Sequence, residues 1–329
     1  MPVITFRQAL NDTLGEELAR DENVLLMGEE IGVFQGSYRI TEGLLQEFGP
    51  KRVVDTPIAE EGFVGVAIGA AMLGLRPVVE IMTINFILVA IDQVVNHASK
   101  IHYMFGGQAK VPMVIRTPSG GTGQLAATHS QSFENWFAYC PGLKVVAPAT
   151  PYDAKGLLRS AIRDDDPVLF IESLALYDTK GEVPEDDDYT VPIGVAEVKR
   201  QGTDVTVVSY SRMTAVALQV AQRLEGEGIS VEVVDLRSLR PLDRPTIIES
   251  VKKTNRAVVI AEDWFSYGVT AEIAATISTE AFDYLDAPVE RVAGLEVPLP
   301  YAKDLSAASK PSANSLIYAI RKVLEGRKK

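Results

Sequence analysis

The 329 residues hold only one cysteine, three histidines and two tryptophans. With Cys140 alone, no disulfide can close within the chain, which fits a reducing compartment, and cysteine-rich zinc or iron–sulfur sites are excluded. No run of about 18 apolar residues occurs, so no segment reads as a membrane span. The N-terminus, MPVITFRQAL, lacks the basic stretch and apolar core of a secretory signal, and it is serine-free, unlike a transit peptide. Lys and Arg number 32 against 44 Asp and Glu. The resulting charge of −12 argues against nucleic-acid binding and favours a basic protein partner or a shielded anionic ligand. No Walker A motif is present. No G-x-G-x-x-G joins a strand to a helix either, which weakens a nucleotide-binding oxidoreductase.

Apolar residues make up 47% of the chain, enough for substantial cores, and the length favours two domains. Short apolar strands alternate with helices. Strands are predicted at 24–27, 77–83, 111–117, 144–147 and 167–172. Thr5-Phe6-Arg7-Gln8 reads as a capping box that opens a helix to Arg20. A helix is predicted over 62–74, and a long one over 86–105 closed by Gly106-Gly107. Thr150-Pro151 supplies an N-cap and an N1 proline for a helix through Arg163. The acidic, proline-containing stretch 181–188 reads as a solvated connection. A second alternating series follows, with strands at 204–209, 230–236 and 257–261 and helices at 214–227, 245–254, 267–280 and 312–326. The fold class is therefore α/β, with two doubly wound domains: 1–180, an acidic linker over 181–195, and 196–329.

Several residues stand out for chemistry. Glu60 follows Pro57 and precedes a helix carrying Gly62, Gly65, Gly69 and Gly74. A carboxylate held there can be an acceptor or a general base, or merely an acid in the first helical turn. Glycine costs about 1 kcal/mol per helical site relative to alanine, so the glycines imply close approach of another backbone, in the same domain or across a subunit interface. The glycine-rich run 120–123 leads into Thr128-His129-Ser130-Gln131. His129 is either an imidazole at a site mouth or part of a helix N-cap region. His97 and His102, on the long helix, read as structural. Asp164, Asp165 and Asp166 follow a helix C-terminus, where the dipole disfavours negative charge. A bound cation or simple solvation would relieve this.

Together these segments resemble the beta subunits of the thiamine-diphosphate-dependent 2-oxo acid dehydrogenases, the pyruvate branch foremost. The resemblance covers almost the whole chain. It is carried by Leu26-Met27-Gly28-Glu29-Glu30, by Asp55 through Gly65, by Arg76 through Thr83 and by Ala90-Ile91-Asp92-Gln93. It continues in Thr128 through Gln131, Cys140 through Val146, Asp235 through Asp243 and Pro298 through Ala302. It implies a transketolase-like pyrimidine-binding domain followed by a transketolase C-terminal domain. The family binds the cofactor's diphosphate and magnesium through a Gly-Asp-Gly motif, and this chain contains no Gly-Asp pair. The resemblance thus implies that this chain holds only the pyrimidine end, and that an alpha subunit grips the phosphates in a two-alpha, two-beta tetramer.

The resemblance further implies that Glu60 hydrogen-bonds the pyrimidine nitrogen and sets its tautomer, with Ile58, Met82 and Phe86 lining the pyrimidine pocket. It places His129 near the lipoyl entrance, and a potassium ion at Met113, Ala161, Ile162, Asp164 and Asp166. Val89 stands where some relatives carry a glutamine, which bears on substrate preference. The implied reaction is oxidative decarboxylation of pyruvate with acetyl transfer to a lipoyl group. The implied partner is a dihydrolipoamide acetyltransferase core with its lipoyl domain, in a bacterial cytoplasm or an organelle interior. Branched-chain 2-oxo acids or acetoin are the alternative substrates, and a non-catalytic scaffold of the same fold is the alternative class.

Overall fold

Thr5 Oγ1 accepts the Gln8 N–H at 3.1 Å, so the predicted cap opens helix α1 (Phe6–Arg20). The computed structural model describes residues 1–121, 123–186 and 188–325. Thr122 of the glycine-rich run, Asp187 of the acidic stretch and Gly326, the predicted end of the last helix, lie outside the described residues. The chain divides into two compact units, one of residues 1–119 with 136–193, the other of 120–135 with everything from 194 onward. Residues 120–135, placed with the first domain by the sequence reading, thus belong to the second unit.

The first unit contains β1 (Val3–Thr5), α1, β2 (Val24–Gly28), α2 (Leu44–Phe48), β3 (Val53–Asp55), α3 (Glu60–Met72) and β4 (Arg76–Glu80). After these come α4 (Ile101–Met104), β5 (Val114–Ser119), α5 (Glu134–Ala138), whose first two residues fall in the second unit, β6 (Lys144–Val146), α6 (Pro151–Arg163), β7 (Val168–Ser173) and β8 (Lys180–Glu182). Its main sheet runs β6-β7-β5-β4-β2-β3 with every pair parallel, while β1 and β8 form a separate antiparallel pair. Buried on both faces, such strands need the near-continuous apolar runs the sequence shows. Phe6, Leu10, Leu14 and Leu18 recur at helical spacing on α1 and pack into a core with Leu157, Leu158 and Phe170. Ion pairs from Arg163 to Glu17 (2.6 Å) and from Arg159 to Glu16 (2.5 Å) tie α1 to α6.

Two expectations need correction here. The long helix over 86–105 is broken. A 3₁₀ turn (Phe86–Leu88) is followed by a π-helical stretch (Gln93–Ala98), whose widened ladder shows in Ser99 N–H donating to the Val94 carbonyl at 3.2 Å, and only then by α4. The predicted stop holds, with Gly106 and Gly107 at φ 58° and 83°. The acidic connection is not merely solvated. Arg159 donates to the carbonyls of Asp186 (3.1 Å) and Tyr189 (2.9 Å), Ser160 Oγ donates to the Val191 carbonyl (2.6 Å), and Val191 is buried in the core. The segment is a strap over α6. Gly156 makes room for it, since a Cβ there would lie 2.5 Å from Val191 Cγ2.

The second unit contains β9 (Glu197–Arg200), β10 (Val205–Ser209), α7 (Arg212–Glu225), β11 (Val231–Asp235), β12 (Ser238–Arg240) and α8 (Arg244–Thr254). It continues with β13 (Ala257–Trp264), α9 (Val269–Glu280), β14 (Glu290–Gly294), α10 (Lys303–Ala308) and α11 (Ala313–Glu325). Its sheet runs β14-β13-β10-β11-β9, parallel except for the edge strand β9. Val207, Val233 and Val258 from three strands pack with Leu224 and Leu316 from helices. Among the described residues no helix is long and apolar enough to cross a membrane.

Candidate functional site

The register of the first sheet places Asp55, Gly28 and Glu80, the last residues of three neighbouring parallel strands, in one row with Arg116, midway along β5. That edge is where open α/β sheets bind ligands. The chain leaves β2 at Gly28, β3 at Asp55 and β4 at Glu80, so Glu29, Ile58, Glu60, Met82 and Phe86 all emerge there. The segments after β2 and β3 are tied together. Asp55 accepts the N–H groups of Gly32 (2.6 Å) and Val33 (2.9 Å), and Thr56 N–H donates to the Gly28 carbonyl at 3.0 Å. Gly28 is needed because a Cβ there would lie 2.7 Å from the Glu80 carbonyl.

Glu60 is the first residue of α3 and only 6% exposed, with no hydrogen-bond partner for its carboxylate among the described residues. Its oxygens keep a little accessible surface, so a donor from outside can reach an acceptor that no described residue satisfies. Beside it lies Glu29, 7% exposed, whose Oε1 is buried without a partner. Burial, then the charge of Glu60 and of Glu30, pushes the Glu29 carboxyl up to about 7. The sequence reading quoted Glu29 only within a motif. The signal that singles it out is its position immediately after the end of a parallel strand.

Met82 and Phe86 are half-buried just beyond β4, whereas Ile58 is 84% exposed. The row continues inward to a buried ion cluster that sequence pattern did not reveal. Arg116 binds Glu80 at 2.8 Å and Glu172 at 2.7 Å, and Tyr177 donates its hydroxyl to Glu172 at 2.6 Å. Desolvation pushes Glu172 up, although Arg116 and Tyr177 oppose it.

The glycines of α3 behave differently from the within-domain reading. A Cβ on Gly62 would meet only Ala59, one on Gly65 would meet the Gln93 side chain, and one on Gly69 would meet nothing within 4 Å. Val66 (61%), midway along the helix, and Leu73 (88%), just past its end, stand exposed. No backbone of this unit makes the close approach.

His129 lies in the second unit, exposed, with Thr128 Oγ1 3.0 Å from its Nδ1. Neither Thr128 nor Ser130 caps the following helix, which begins only at Glu134. His97 sits 3.2 Å from Asp92, and His102 Nδ1 is 3.0 Å from the Ala109 carbonyl.

At the acidic turn after α6, three cationic side chains already face the three aspartates. Lys144 binds Asp164 at 2.6 Å and Asp166 at 3.1 Å, while Arg76 (2.8 Å) and Lys110 (2.6 Å) bind Asp165. Arg76 also donates to the carbonyls of Ile162 (3.0 Å) and Asp164 (2.9 Å). The charge argument for a metal is thereby answered by side chains. Among the described residues no group of three His, Cys, Asp or Glu is arranged to hold a metal. What the turn offers an ion is main-chain carbonyl oxygen, each with a second lone pair.

Residues 3–180 match the transketolase pyrimidine binding domain, and residues 194–316 match the transketolase C-terminal domain. The chain is 52% identical over 320 residues to a pyruvate dehydrogenase E1 component subunit beta of Rickettsia felis, covering 97% of this chain and 98% of that one. The same-named protein of Rhizobium meliloti is 50% identical over 98% of this chain and 70% of its own length. A mitochondrial subunit beta-1 of Arabidopsis thaliana is 49% identical over 97% of this chain and 89% of its own. A solved structure of a split-gene transketolase, described as an inactive beta4 tetramer, superposes with a TM-score of 0.81 at 24% identity over 99% of both chains, which speaks to the fold. The two domain matches and an identity of 50–52% over nearly the whole chain place it in one group: it belongs to the family of pyruvate dehydrogenase E1 component beta subunits.

Proposed function

We propose that this chain supplies the pyrimidine half of a thiamine-diphosphate site and acts in the oxidative decarboxylation of pyruvate, with acetyl transfer to a lipoyl group. The observation that carries the reading is Glu60: a residue only 6% exposed, whose carboxylate has no hydrogen-bond partner among the described residues, at the ligand-binding edge of a parallel sheet. Bound there, the cofactor supplies the electron sink for decarboxylation. Glu60 would hydrogen-bond the pyrimidine ring nitrogen and so stabilise the ring's imino tautomer. Met82, Phe86 and Ile58 exclude water from the ring. Glu29, poised near neutrality, stands next to Glu60 as a second proton carrier. His129 handles the substrate carboxylate or a proton on the lipoyl side.

The phosphate grip and magnesium belong to an alpha subunit, and the exposed α3 face with its unfilled glycines suits close packing by that partner. The acidic chain suits a basic docking module of a dihydrolipoamide acetyltransferase. Potassium would be held by the carbonyls of Met113, Ala161, Ile162, Asp164 and Asp166, and a rubidium-soaked crystal with no anomalous peak beside Asp164 would remove it. The compartment is a bacterial cytoplasm or an organelle interior.

The test is reconstitution with a matching alpha chain. Glu60→Gln should assemble normally and lower turnover at least about a hundredfold, the scale of proton-transfer catalysis. Turnover within a factor of about two of wild type would reject the role. A panel of oxo acids decides between pyruvate and the branched-chain or acetoin alternatives, and zero activity with every one of them would leave only the scaffold reading.

A further inference from the structure

Residues 120–135 pack within the second unit, where Asn135 Nδ2 donates to the Tyr267 carbonyl at 2.8 Å, Phe133 meets the Trp264 ring, and one charged side chain holds the loop's glycine-rich end. The Gly120 N–H donates to the Gln131 carbonyl at 3.3 Å and closes the base of a loop whose turn carries Thr128 and His129. Lys310 Nζ donates to the Gly121 carbonyl at 2.6 Å. Gln124 Nε2 reaches the Tyr301 carbonyl at 3.3 Å. Leu299 packs so tightly here that a Cβ on Gly121 would lie 2.4 Å from its Cδ2.

Lys310 is half-buried and lines a small cavity with Ser130, Ser132, Glu262 and Trp264. Glu262 is 2.7 Å from Arg212, and its Oε2 would lie 3.2 Å from a Cβ on Gly120. Burial first, then the Arg212 guanidinium, lowers the Lys310 pKa, so the site works against the ammonium it contains. An aliphatic side chain would fill the same space without that penalty. What the ammonium adds is a directed, charge-assisted bond to one loop carbonyl, and such bonds are roughly twice as strong as neutral ones.

We propose that Lys310 is a positioning residue: from a cavity that Glu262 also lines, it latches the loop bearing His129 through the Gly121 carbonyl. The latch stands on the contacts just described. Its consequence for catalysis rests on the proposed role of His129 at the lipoyl side.

The experiment compares full-length wild type, Lys310→Met, Lys310→Arg and His129→Ala. Amide hydrogen exchange is followed over 120–131, and, with an alpha chain added, acetylation of a lipoyl domain is set against decarboxylation coupled to an artificial electron acceptor. Lys310→Met should speed loop exchange about tenfold, the effect of losing one charge-assisted bond, while amides of β13 keep their wild-type rates. It should also raise KM for the lipoyl domain more than it lowers kcat with the artificial acceptor, and Lys310→Arg should restore both. Loop exchange in Lys310→Met within a factor of about two of wild type overturns the latch. If that variant does not fold, Lys310→Ala gives the same readout, and unchanged loop exchange there overturns the latch equally. His129→Ala should leave loop exchange unaltered and slow lipoyl acetylation. Acetylation unaffected by His129→Ala removes the role of His129, while the exchange data still decide the latch.

Discussion

Glu29, just past the end of β2, and Glu60, the first residue of α3, are neighbouring acidic residues of low exposure, and the charge of Glu60 helps push the proton affinity of Glu29 up to about 7. At neutral pH Glu29 therefore carries a proton about half the time, while an unfolded carboxyl near 4.5 carries almost none. A folded pKa above the unfolded one contributes stability that is complete below about 4.5 and lost as pH rises through about 7. Glu29→Gln should flatten the fall of the melting temperature across that window, and Glu60→Gln should flatten it in part by removing the neighbouring charge. Melting curves between about pH 4 and pH 8 check this, and slopes identical to wild type would refute the coupling.

Arg116 compensates Glu80 and Glu172 where water does not reach, at 2% side-chain exposure. Removing one partner of a buried ion cluster leaves an uncompensated charge, at a cost of about 3–5 kcal/mol. Arg116→Met should destabilise the first unit on that scale. Adding Glu172→Gln should recover part of the loss, because one stranded carboxylate is then neutral. Urea unfolding of the two variants provides the measurement, and a double variant no more stable than the single would count against the electrostatic account.

The elements that were legible in sequence are those whose signals are local. The Thr5 and Thr150 caps, the Gly106-Gly107 stop and the valine-rich strands appear where they were predicted. The π-helical stretch over Gln93–Ala98 was not legible, because a widened ladder leaves no mark on apolar spacing. The strap over α6 was missed because its charges suggested solvation, while its anchors are main-chain carbonyls bound by Arg159 and Ser160. Glu60 was readable as an acid at a helix start. Its burial, its missing partner and the raised Glu29 beside it depend on sheet register, which joins residues 28, 55 and 80 only in three dimensions. Likewise the lysine and arginine that answer the aspartates after α6 come from positions 144, 110 and 76.

The strap makes a second stability prediction. At Gly156 an added methyl would meet Val191 Cγ2 at 2.5 Å and the Val191 nitrogen at 3.0 Å. Those contacts cannot be relieved by a flexible side-chain end, since Val191 N–H also donates to the Gly156 carbonyl at 3.1 Å. Gly156→Ala should lift the strap and destabilise the protein by about 1–3 kcal/mol, the usual scale of overpacking. Limited proteolysis should then cut within 183–191 faster than in wild type. Cleavage at the wild-type rate would show that the strap is held by something other than its seat on Gly156.

Asp263, near the end of β13 and 2% exposed, accepts the N–H of Val269, the first residue of α9, at 2.5 Å, with its other oxygen unpartnered among the described residues. Burial pushes its carboxyl up to about 7 in spite of that hydrogen bond. The sign is again that of a raised acid: its contribution is complete below about 3.8 and disappears as pH climbs past about 7, where the buried group must ionise. Asparagine keeps a carbonyl oxygen for the Val269 N–H and never ionises. Asp263→Asn should therefore be more stable than wild type near pH 8 and lose that advantage near pH 5, where the aspartate is protonated and neutral. Melting temperatures at the two pH values decide the matter. A variant less stable than wild type at both would mean that the carboxylate is held by a partner charge and not merely tolerated as a helix cap.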